Sequence, residues 1–273
     1  MRLLSFGIDG GPDRAGMLDG DTVLDSGITT RGMLALLPGP QAVVARHSLA
    51  DVDRRPAVPD PGKIMCIGRN YHEHAQEQDV EAPAEPLVFA KFASALVADG
   101  EPIELSPLTV RPDWEAELVV VIGRAGKAIA EADALEHVAG YAVMNDVSAR
   151  DLQRGDGQWT RAKSLDTFAP LSSEIVTADE VADPHGLAIR CHVNGELMQD
   201  STTALMIHRI PRLIAHLSAA FTLETGDLIA TGRPAGVGAF RDPPVFLRPG
   251  DVVRCEVEGV GSVESPVRAG PGM

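Results

Sequence analysis

Aromatic residues, cysteines and clustered positive charge are all scarce in this chain of 273 residues. Aromatic residues make up 4% of it and apolar residues 44%, so a core must be built mainly from valine, leucine, isoleucine and alanine. The formal net charge is −15 and no run of Lys and Arg occurs. This charge opposes binding to nucleic acid or to an anionic membrane surface, and its simplest role is solubility.

The three cysteines, Cys66, Cys191 and Cys255, are far apart and lack metal-ligand spacing. An odd and sparse set is typical of reduced thiols, so we expect a cytoplasmic protein. The first residues lack the apolar stretch of a signal peptide. No segment approaches the roughly 18 uninterrupted apolar residues of a membrane span, so we expect none.

A proline-rich stretch divides the chain. Residues 55–62 carry three prolines in eight positions and cannot continue a helix. We therefore expect a small N-terminal subdomain over residues 1–55 and a main domain over residues 62–273. In the first, residues 18–24 predict a hairpin around Asp-Gly, and residues 31–37 and 41–49 suggest short helices.

Short apolar runs separated by Gly and Pro turns dominate the main domain. They predict strands at 63–68, 87–92, 117–122, 140–144, 188–193, 228–231 and 252–258. Helical patterns are scarcer, at about 71–78, 131–137, 148–153 and 207–221, and the last has the apolar spacing of an amphipathic face. The expected fold class is α+β, mostly β.

Two glutamates, Glu115 and Glu117, stand directly before an apolar run, and Asp146 follows a second such run. A period of two places both glutamates on one face of a strand, roughly 6–7 Å apart. Like charges at that distance cost free energy unless a cation lies between them. Oxygen ligands suit a hard cation such as Mg²⁺ or Mn²⁺. The alternative is a pair of exposed acidic strand ends, which are common.

Residues 69–77 are dense in titratable groups. In a helix, His74 and Glu77 would be neighbours on one face, and the carboxylate would orient the imidazole as a general base. His72 would lie on another face. The alternative is a solvated helix with incidental histidines.

Two further segments suggest ligand contacts. Lys163 lies among small and aromatic residues and could stabilise an enolate beside a metal, although an isolated lysine is more often a surface residue. The turn at 230–238 follows a predicted strand, and its glycines would let backbone N–H groups hold a carboxylate. It is not a P-loop, because Gly-Lys-Ser/Thr is missing.

Together and in this order, these segments resemble the fumarylacetoacetate hydrolase family, in its acylpyruvate hydrolase and oxaloacetate decarboxylase-like branch. The resemblance covers roughly residues 62–268. Its motifs are Gly68-Arg69-Asn70-Tyr71 with His74 and Glu77, Asp113-Trp114-Glu115-Ala116-Glu117, Asn145-Asp146-Val147-Ser148-Ala149-Arg150-Asp151, Gly157-Gln158-Trp159 leading to Lys163, Val193-Asn194-Gly195 with Gln199-Asp200, Gly226-Asp227-Leu228-Ile229-Ala230-Thr231-Gly232, and Pro249-Gly250-Asp251.

The resemblance implies a mixed β-roll with a small N-terminal subdomain, assembled as a homodimer. It implies Mg²⁺ or Mn²⁺ on Glu115, Glu117 and Asp146, with Lys163 contacting substrate beside the metal. It also implies a catalytic dyad of His74 and Glu77. The substrate-binding residues that it implies are Arg69, Tyr71, Gln153, Thr231 and Gly232.

The chain departs from the family pattern at two places near the implied pocket. Arg233 stands where the family often has threonine, and Lys91-Phe92-Ala93-Ser94 stands where it has Lys-Pro-Pro-Ser. A guanidinium can pair bidentately with a carboxylate, so Arg233 predicts preference for substrates with a second, distal carboxylate. The alternative is an outward-pointing Arg233 paired with an acidic surface residue.

The implied reaction is hydrolysis of a C–C bond in a 2,4-dioxo acid, such as an acylpyruvate or fumarylpyruvate from aromatic catabolism. The cation would act as a Lewis acid and stabilise an enolate. Decarboxylation of an oxaloacetate-type acid and isomerisation of a 2-hydroxymuconate-type acid use the same enolate and remain open. A non-enzymatic metabolite-binding protein is the alternative of another class. Residues 70–86 are also a candidate mobile lid.

Overall fold

The computed structural model describes residues 1–39, 41–77 and 81–273. The N-terminal strands are β1 Arg2–Gly7, β2 Arg14–Asp19, β3 Thr22–Asp25, β4 Ala45–Ser48 and β5 Asp53–Arg54. The next strands are β6 Ile64–Gly68, β7 Leu87–Lys91, β8 Leu96–Val97, β9 Ile103–Leu105, β10 Pro112–Asp113, β11 Ala116–Ile122 and β12 Val138–Asn145. The remaining strands are β13 Ser148–Ala149, β14 Ala169–Pro170, β15 Glu174–Thr177, β16 Ala188–Val193, β17 Glu196–Thr202, β18 Leu228–Ala230, β19 Val252–Val257 and β20 Gly261–Ala269.

Helices are short and lie between these strands. The α-helices are α1 Thr30–Leu34, α2 His72–Glu77, α3 Arg150–Asp156, α4 Thr160–Lys163 and α5 Ile210–Ala220. The 3₁₀ helices are Leu49–Asp51, Ala93–Ala95, Glu131–His137, Ala178–Glu180, Thr203–Leu205 and Gly238–Phe240. None of the helices in these described ranges is long and apolar enough to cross a membrane.

Two packed sheets form the frame. The larger sheet has the strand order β4-β3-β2-β1-β15-β12-β11-β18-β6-β7, with β5 added beside β1. The smaller sheet has the order β17-β16-β19-β20-β9. Strand β11 packs against β16 and β19 of the smaller sheet, and β12 packs against β19 and β20, so both strands lie where the two sheets meet.

Strand β11 is buried on both faces, which explains its continuous apolar sequence. Leu118 and Val120 face one apolar cluster, whereas Val119 and Val121 face a second cluster on the other side of the sheet. The same alternation puts Glu115 and Glu117 on the face of Val119. The start of this strand therefore carries two carboxylates into the interior.

The predicted α+β, mostly β, class is confirmed, and so is the hairpin, in which β2 pairs with β3. Helix α5 confirms the amphipathic pattern, with Leu213, Ile214 and Leu217 buried. The helix predicted over 41–49 is wrong, because Ala45–Ser48 pairs with β3 as an edge strand. The subdomain boundary stays a prediction. Strand β1 pairs with β15 and so joins residues 1–55 to the large sheet.

Candidate metal centre and active site

Three buried carboxylates converge at one end of β11. In the antiparallel pairing with β12, Ala116 lies opposite Asn145, so Asp146 at the end of β12 arrives beside Glu115. The backbone N of Asp146 donates to the carbonyl oxygen of Glu115 at 2.8 Å. One oxygen from each of Glu115, Glu117 and Asp146 lies within 4.8 Å of the others. The structure thus brings together the three predicted metal ligands.

The ammonium of Lys163 lies between two of these carboxylates. Its Nζ is 2.5 Å from Glu115 Oε2 and 2.7 Å from Asp146 Oδ2, and 5.0 Å from the centre of the Phe89 ring. A positive group thus stands in for a cation among ligand atoms that are all oxygen. Since buried carboxylates of this kind suit hard cations, the residues fit Mg²⁺ or Mn²⁺.

The two glutamates have opposite pKa shifts. Burial raises the pKa of Glu115, but Lys163, Arg150 and Arg233 outweigh it and hold that pKa well below its usual range. Burial, together with the charges of Asp146 and Glu115, raises the pKa of Glu117 well above its usual range. A further positive charge in the site would lower the pKa of Glu117.

A second layer of donors surrounds the carboxylates. Arg150 Nη2 lies 2.7 Å from Glu115 Oε1, and Gly232 N donates to Glu117 Oε2 at 2.9 Å. Lys91 Nζ donates to Asp146 Oδ1 at 2.7 Å. Arg150 and Lys91 are site residues that the sequence motifs did not reveal. The available signals were the position of Arg150 four residues after Asp146, and a lysine closing the apolar run of β7.

His74 and Glu77 lie on α2 at the edge of the cavity. The His74 side chain is buried, whereas His72 is exposed. Burial and the positive charge of Arg233 lower the pKa of His74 to about 2, although Glu115 opposes this shift. The two Glu77 oxygens accept from Arg233 Nη1 at 2.5 Å and from Gly236 N at 2.8 Å. The expected dyad stays a prediction, and these two bonds tie α2 to the loop after β18.

A cavity of about 320 Å³ opens onto Glu115, Glu117 and His74. Its cationic lining consists of Arg69, Arg150, Arg154, Lys163 and Arg233. Its aromatic lining consists of Phe89, Trp159 and Phe240. Such a wall can hold a small anion with more than one negative charge against a planar apolar surface.

The other predicted substrate contacts divide into two groups. Arg69 and Gln153 line the cavity, and Gln153 accepts from Arg150 Nη1 at 3.1 Å. The Thr231 hydroxyl is buried and donates to the Leu118 carbonyl oxygen at 2.8 Å. The Tyr71 hydroxyl is buried and has no hydrogen-bond partner among the described residues. Substrate binding by all four stays a prediction.

Gly232 and Arg233 lie directly beside the carboxylates. Gly232 has φ +95°, and a Cβ there would come 2.8 Å from Asn70 Cβ, so its residue type is required by the backbone. Arg233 is only 1% exposed, so the alternative of an outward-pointing Arg233 is wrong. Its predicted contact with a substrate carboxylate stays a prediction.

The candidate lid over 70–86 is only partly described. Residues 78–80 lie outside the described residues. The described residues around this gap include α2 and the start of β7, and His208 Nε2 donates to the Pro83 carbonyl oxygen at 3.0 Å. Motion of the segment stays a prediction.

Comparison with known proteins places this geometry in a family. The profile described as "Fumarylacetoacetate (FAA) hydrolase C-terminal" matches residues 63–268. The chain belongs to this family. A Xenopus laevis relative named oxaloacetate tautomerase fahd2, mitochondrial, is 50% identical over 212 residues, which are 77% of this chain and 66% of the relative. The chain thus spans just under two thirds of that relative.

Two solved structures share the whole fold. The 2-hydroxyhepta-2,4-diene-1,7-dioate isomerase from Mycobacterium marinum is 35% identical, with a TM-score of 0.84, and all of both chains is covered. The maleylpyruvate hydrolase from Sphingobium sp. SYK-6, in complex with manganese(II) ion and pyruvate, is 33% identical, with a TM-score of 0.79. That match covers 99% of this chain and 100% of the other. These relatives include a tautomerase, an isomerase and a hydrolase.

Proposed function

We propose that this protein is a divalent-cation-dependent enzyme that forms an enolate from a small 2-oxo acid. The observation that carries the proposal is the convergence of Glu115, Glu117 and Asp146 around the Lys163 ammonium, at the base of a cavity lined by arginines. A bound Mg²⁺ or Mn²⁺ would supply Lewis-acid polarisation of the 2-oxo group. Binding of Mn²⁺ by the maleylpyruvate hydrolase supports this choice of cation.

The chain's own residues account for the remaining steps. The arginines of the cavity, with Arg69 and Arg150 foremost, would hold the substrate carboxylates. Lys163 would donate a hydrogen bond to the oxygen on which negative charge develops. His74 would move the proton at C3. Substrate carboxylates would offset the nearby cations that depress the pKa of His74, so its basicity would rise when substrate is bound.

Keto–enol tautomerisation of oxaloacetate is the reaction that these features support best. It needs only a proton moved between C3 and the 2-oxo group, and the substrate is a dianion that suits a cationic cavity. The names of relatives about 50% identical to this chain support the same reaction. Decarboxylation of oxaloacetate and isomerisation of a 2-hydroxymuconate-type acid would proceed through the same enolate.

Hydrolysis of an acylpyruvate or fumarylpyruvate, the reaction predicted from the sequence, is the second candidate. The aromatic wall of Phe89, Trp159 and Phe240 favours it, because a conjugated acyl group could lie against these rings. The maleylpyruvate hydrolase with bound pyruvate supports it as well. Hydrolysis additionally requires a water activated by His74 to attack the C4 carbonyl.

One substrate panel separates these reactions. Oxaloacetate enol, acetylpyruvate and fumarylpyruvate are each followed by ultraviolet absorbance with Mg²⁺ and again with EDTA. We expect Mg²⁺-dependent conversion of the enol form of oxaloacetate to its keto form, with no decrease in total oxaloacetate. Release of pyruvate from either acylpyruvate at a higher rate than conversion of the oxaloacetate enol would instead make the enzyme a hydrolase. Equal rates with Mg²⁺ and with EDTA would contradict the requirement for a divalent cation.

Assembly and location are separate proposals. We expect a homodimer, which light scattering at several protein concentrations tests. The three described cysteines form no disulfide, which supports the cytoplasmic location expected from the sequence, whereas the names of several relatives place those proteins in mitochondria. Fractionation of the native cells decides between the two.

A further inference from the structure

Each carboxylate of the proposed metal centre has one oxygen bonded to a group other than Lys163. Arg150 holds Glu115 Oε1, the Gly232 amide holds Glu117 Oε2, and Lys91 holds Asp146 Oδ1. The opposite oxygens of Glu115 and Asp146 both face the Lys163 ammonium. One oxygen from each of the three side chains lies within 4.8 Å of the others at the centre of the site.

Arg150 and Lys91 are the two side-chain donors of this outer layer, and of these two described residues Arg150 lines the cavity whereas Lys91 does not. Its side chain is fully buried behind Asp146. Its ammonium donates to Asp146 Oδ1, to the Val147 carbonyl at 3.3 Å and to the Lys163 carbonyl. An ammonium has three protons, so these acceptors use all of them and fix its position.

We propose that Lys91 sets the cation selectivity of this site by keeping Asp146 a one-oxygen ligand. Mg²⁺ takes one oxygen from each carboxylate in a tight octahedral shell, whereas Ca²⁺ accepts more oxygens and often two from one carboxylate. A protonated amine bonded to Asp146 Oδ1 blocks the two-oxygen mode. The site therefore favours Mg²⁺ and Mn²⁺ over Ca²⁺.

This inference rests on the proposed function only in that the three carboxylates hold the cation. The reaction catalysed does not enter it. Arg150 and Gly232 act in the same sense on the glutamates, but Arg150 also lines the cavity and the Gly232 donor is a backbone group. Lys91 is therefore the position where selectivity can be changed without altering the cavity surface.

The test measures binding of cations to metal-free protein by calorimetry, with MgCl₂, MnCl₂ and CaCl₂. In Lys91→Met the side chain stays long and unbranched, but it is one atom shorter and loses its donor. Loss of such an outer partner typically weakens metal binding about 10–100-fold, and we expect this for Mg²⁺ and Mn²⁺. Ca²⁺ should be weakened much less, so the ratio of Mg²⁺ to Ca²⁺ affinity falls. Lys91→Arg keeps a charged donor and should restore part of that ratio.

Lys63→Met is the matched control. Lys63 precedes β6 at the end away from the cavity, and its Nζ lies 2.9 Å from buried Asp227. Lys63→Met removes a lysine ammonium from a buried carboxylate, as Lys91→Met does, and should leave the ratio of Mg²⁺ to Ca²⁺ affinity unchanged. An equal loss for all three cations in Lys91→Met would overturn the proposal. So would a wild type that prefers Ca²⁺.

A crystal structure of the unmodified protein with Mn²⁺ tests the inference without any variant. We expect one Asp146 oxygen on the ion and the other on Lys91. Two Asp146 oxygens on the ion would refute the role of Lys91. A cation bound elsewhere, with the three carboxylates free of it, would instead refute the proposed metal centre.

Discussion

Arg233 Nη1 lies 2.5 Å from Glu77 Oε2, and this ion pair fastens the helix that carries His74 to the loop after β18. The Gly236 amide holds the other Glu77 oxygen at 2.8 Å. His74, three residues before Glu77, is thereby kept at the cavity edge. Glu77, the residue expected to orient the imidazole, thus also docks the helix that carries His74.

Replacing Arg233 by Thr should therefore lower kcat/KM for oxaloacetate and for acetylpyruvate by similar factors. Loss of the helix anchor misplaces His74, and a displacement of about 1 Å can cost up to about 10²-fold in rate. The measurement is kcat/KM for both substrates in the wild type and the variant. A loss confined to the dicarboxylate would favour direct pairing of Arg233 with a distal carboxylate. Arg124→Thr, at an exposed ion pair, is the control.

His74→Ala should lose activity while keeping its cation. Removal of a positioned general base typically costs about 10²–10⁴-fold in rate. His72 is exposed on the same helix, so His72→Ala is the matched control and should remain near the wild-type rate. Metal content and kcat are measured for both variants. An inactive His72 variant beside an active His74 variant would reverse the assignment.

His185 should make the protein less stable as the pH falls. Its Nε2 accepts from Ile210 N at the start of α5, and burial together with Arg209 lowers its pKa from 6.5. Because the unfolded chain takes up the proton first, stability is complete above pH 6.5 and is lost as the pH falls below it. One such proton changes the unfolding free energy by at most about 1.4 kcal/mol per pH unit.

Gln at position 185 can accept the same hydrogen bond but does not titrate. We expect urea unfolding of His185→Gln between about pH 7.5 and pH 5 to show a shallower loss of stability than the wild type. His74 titrates in both proteins, so its contribution cancels in the comparison. The exposed His72→Gln variant should keep the wild-type slope. If the unfolding free energy of His185→Gln depends on pH as steeply as that of the wild type, His185 does not cause the loss of stability.

The carboxylate site was predictable because strand spacing and the family motifs indicated the same three residues. A period of two puts Glu115 and Glu117 on one face, and the antiparallel neighbour β12 brings Asp146 to the same end. Lys91 could not be found in this way. Its partner Asp146 is 55 positions away, and only the pairing of distant strands brings the two together. The same limit applied to Arg233, whose burial depends on α2.

Short segments were the least predictable part of the fold. Residues 41–49 carry an apolar pattern that fits either a helix or a strand. Pairing with β3 stabilises Ala45–Ser48 as a strand. The longer α5 was predicted well because its stripe of Ile210, Leu213, Ile214 and Leu217 repeats over several turns. The prediction was correct where the apolar periodicity extends over several turns, and wrong where the segment is too short to show one.

The most direct test of the central claim is the cation content of the wild type and of Glu117→Ala. Metal-free samples are dialysed against Mn²⁺, freed of excess ion and analysed for manganese, with circular dichroism as the check on folding. The account predicts about one Mn²⁺ per wild-type chain, and both binding and activity lost in a folded variant, as expected when a direct metal ligand is removed. Full manganese content in folded Glu117→Ala would contradict it.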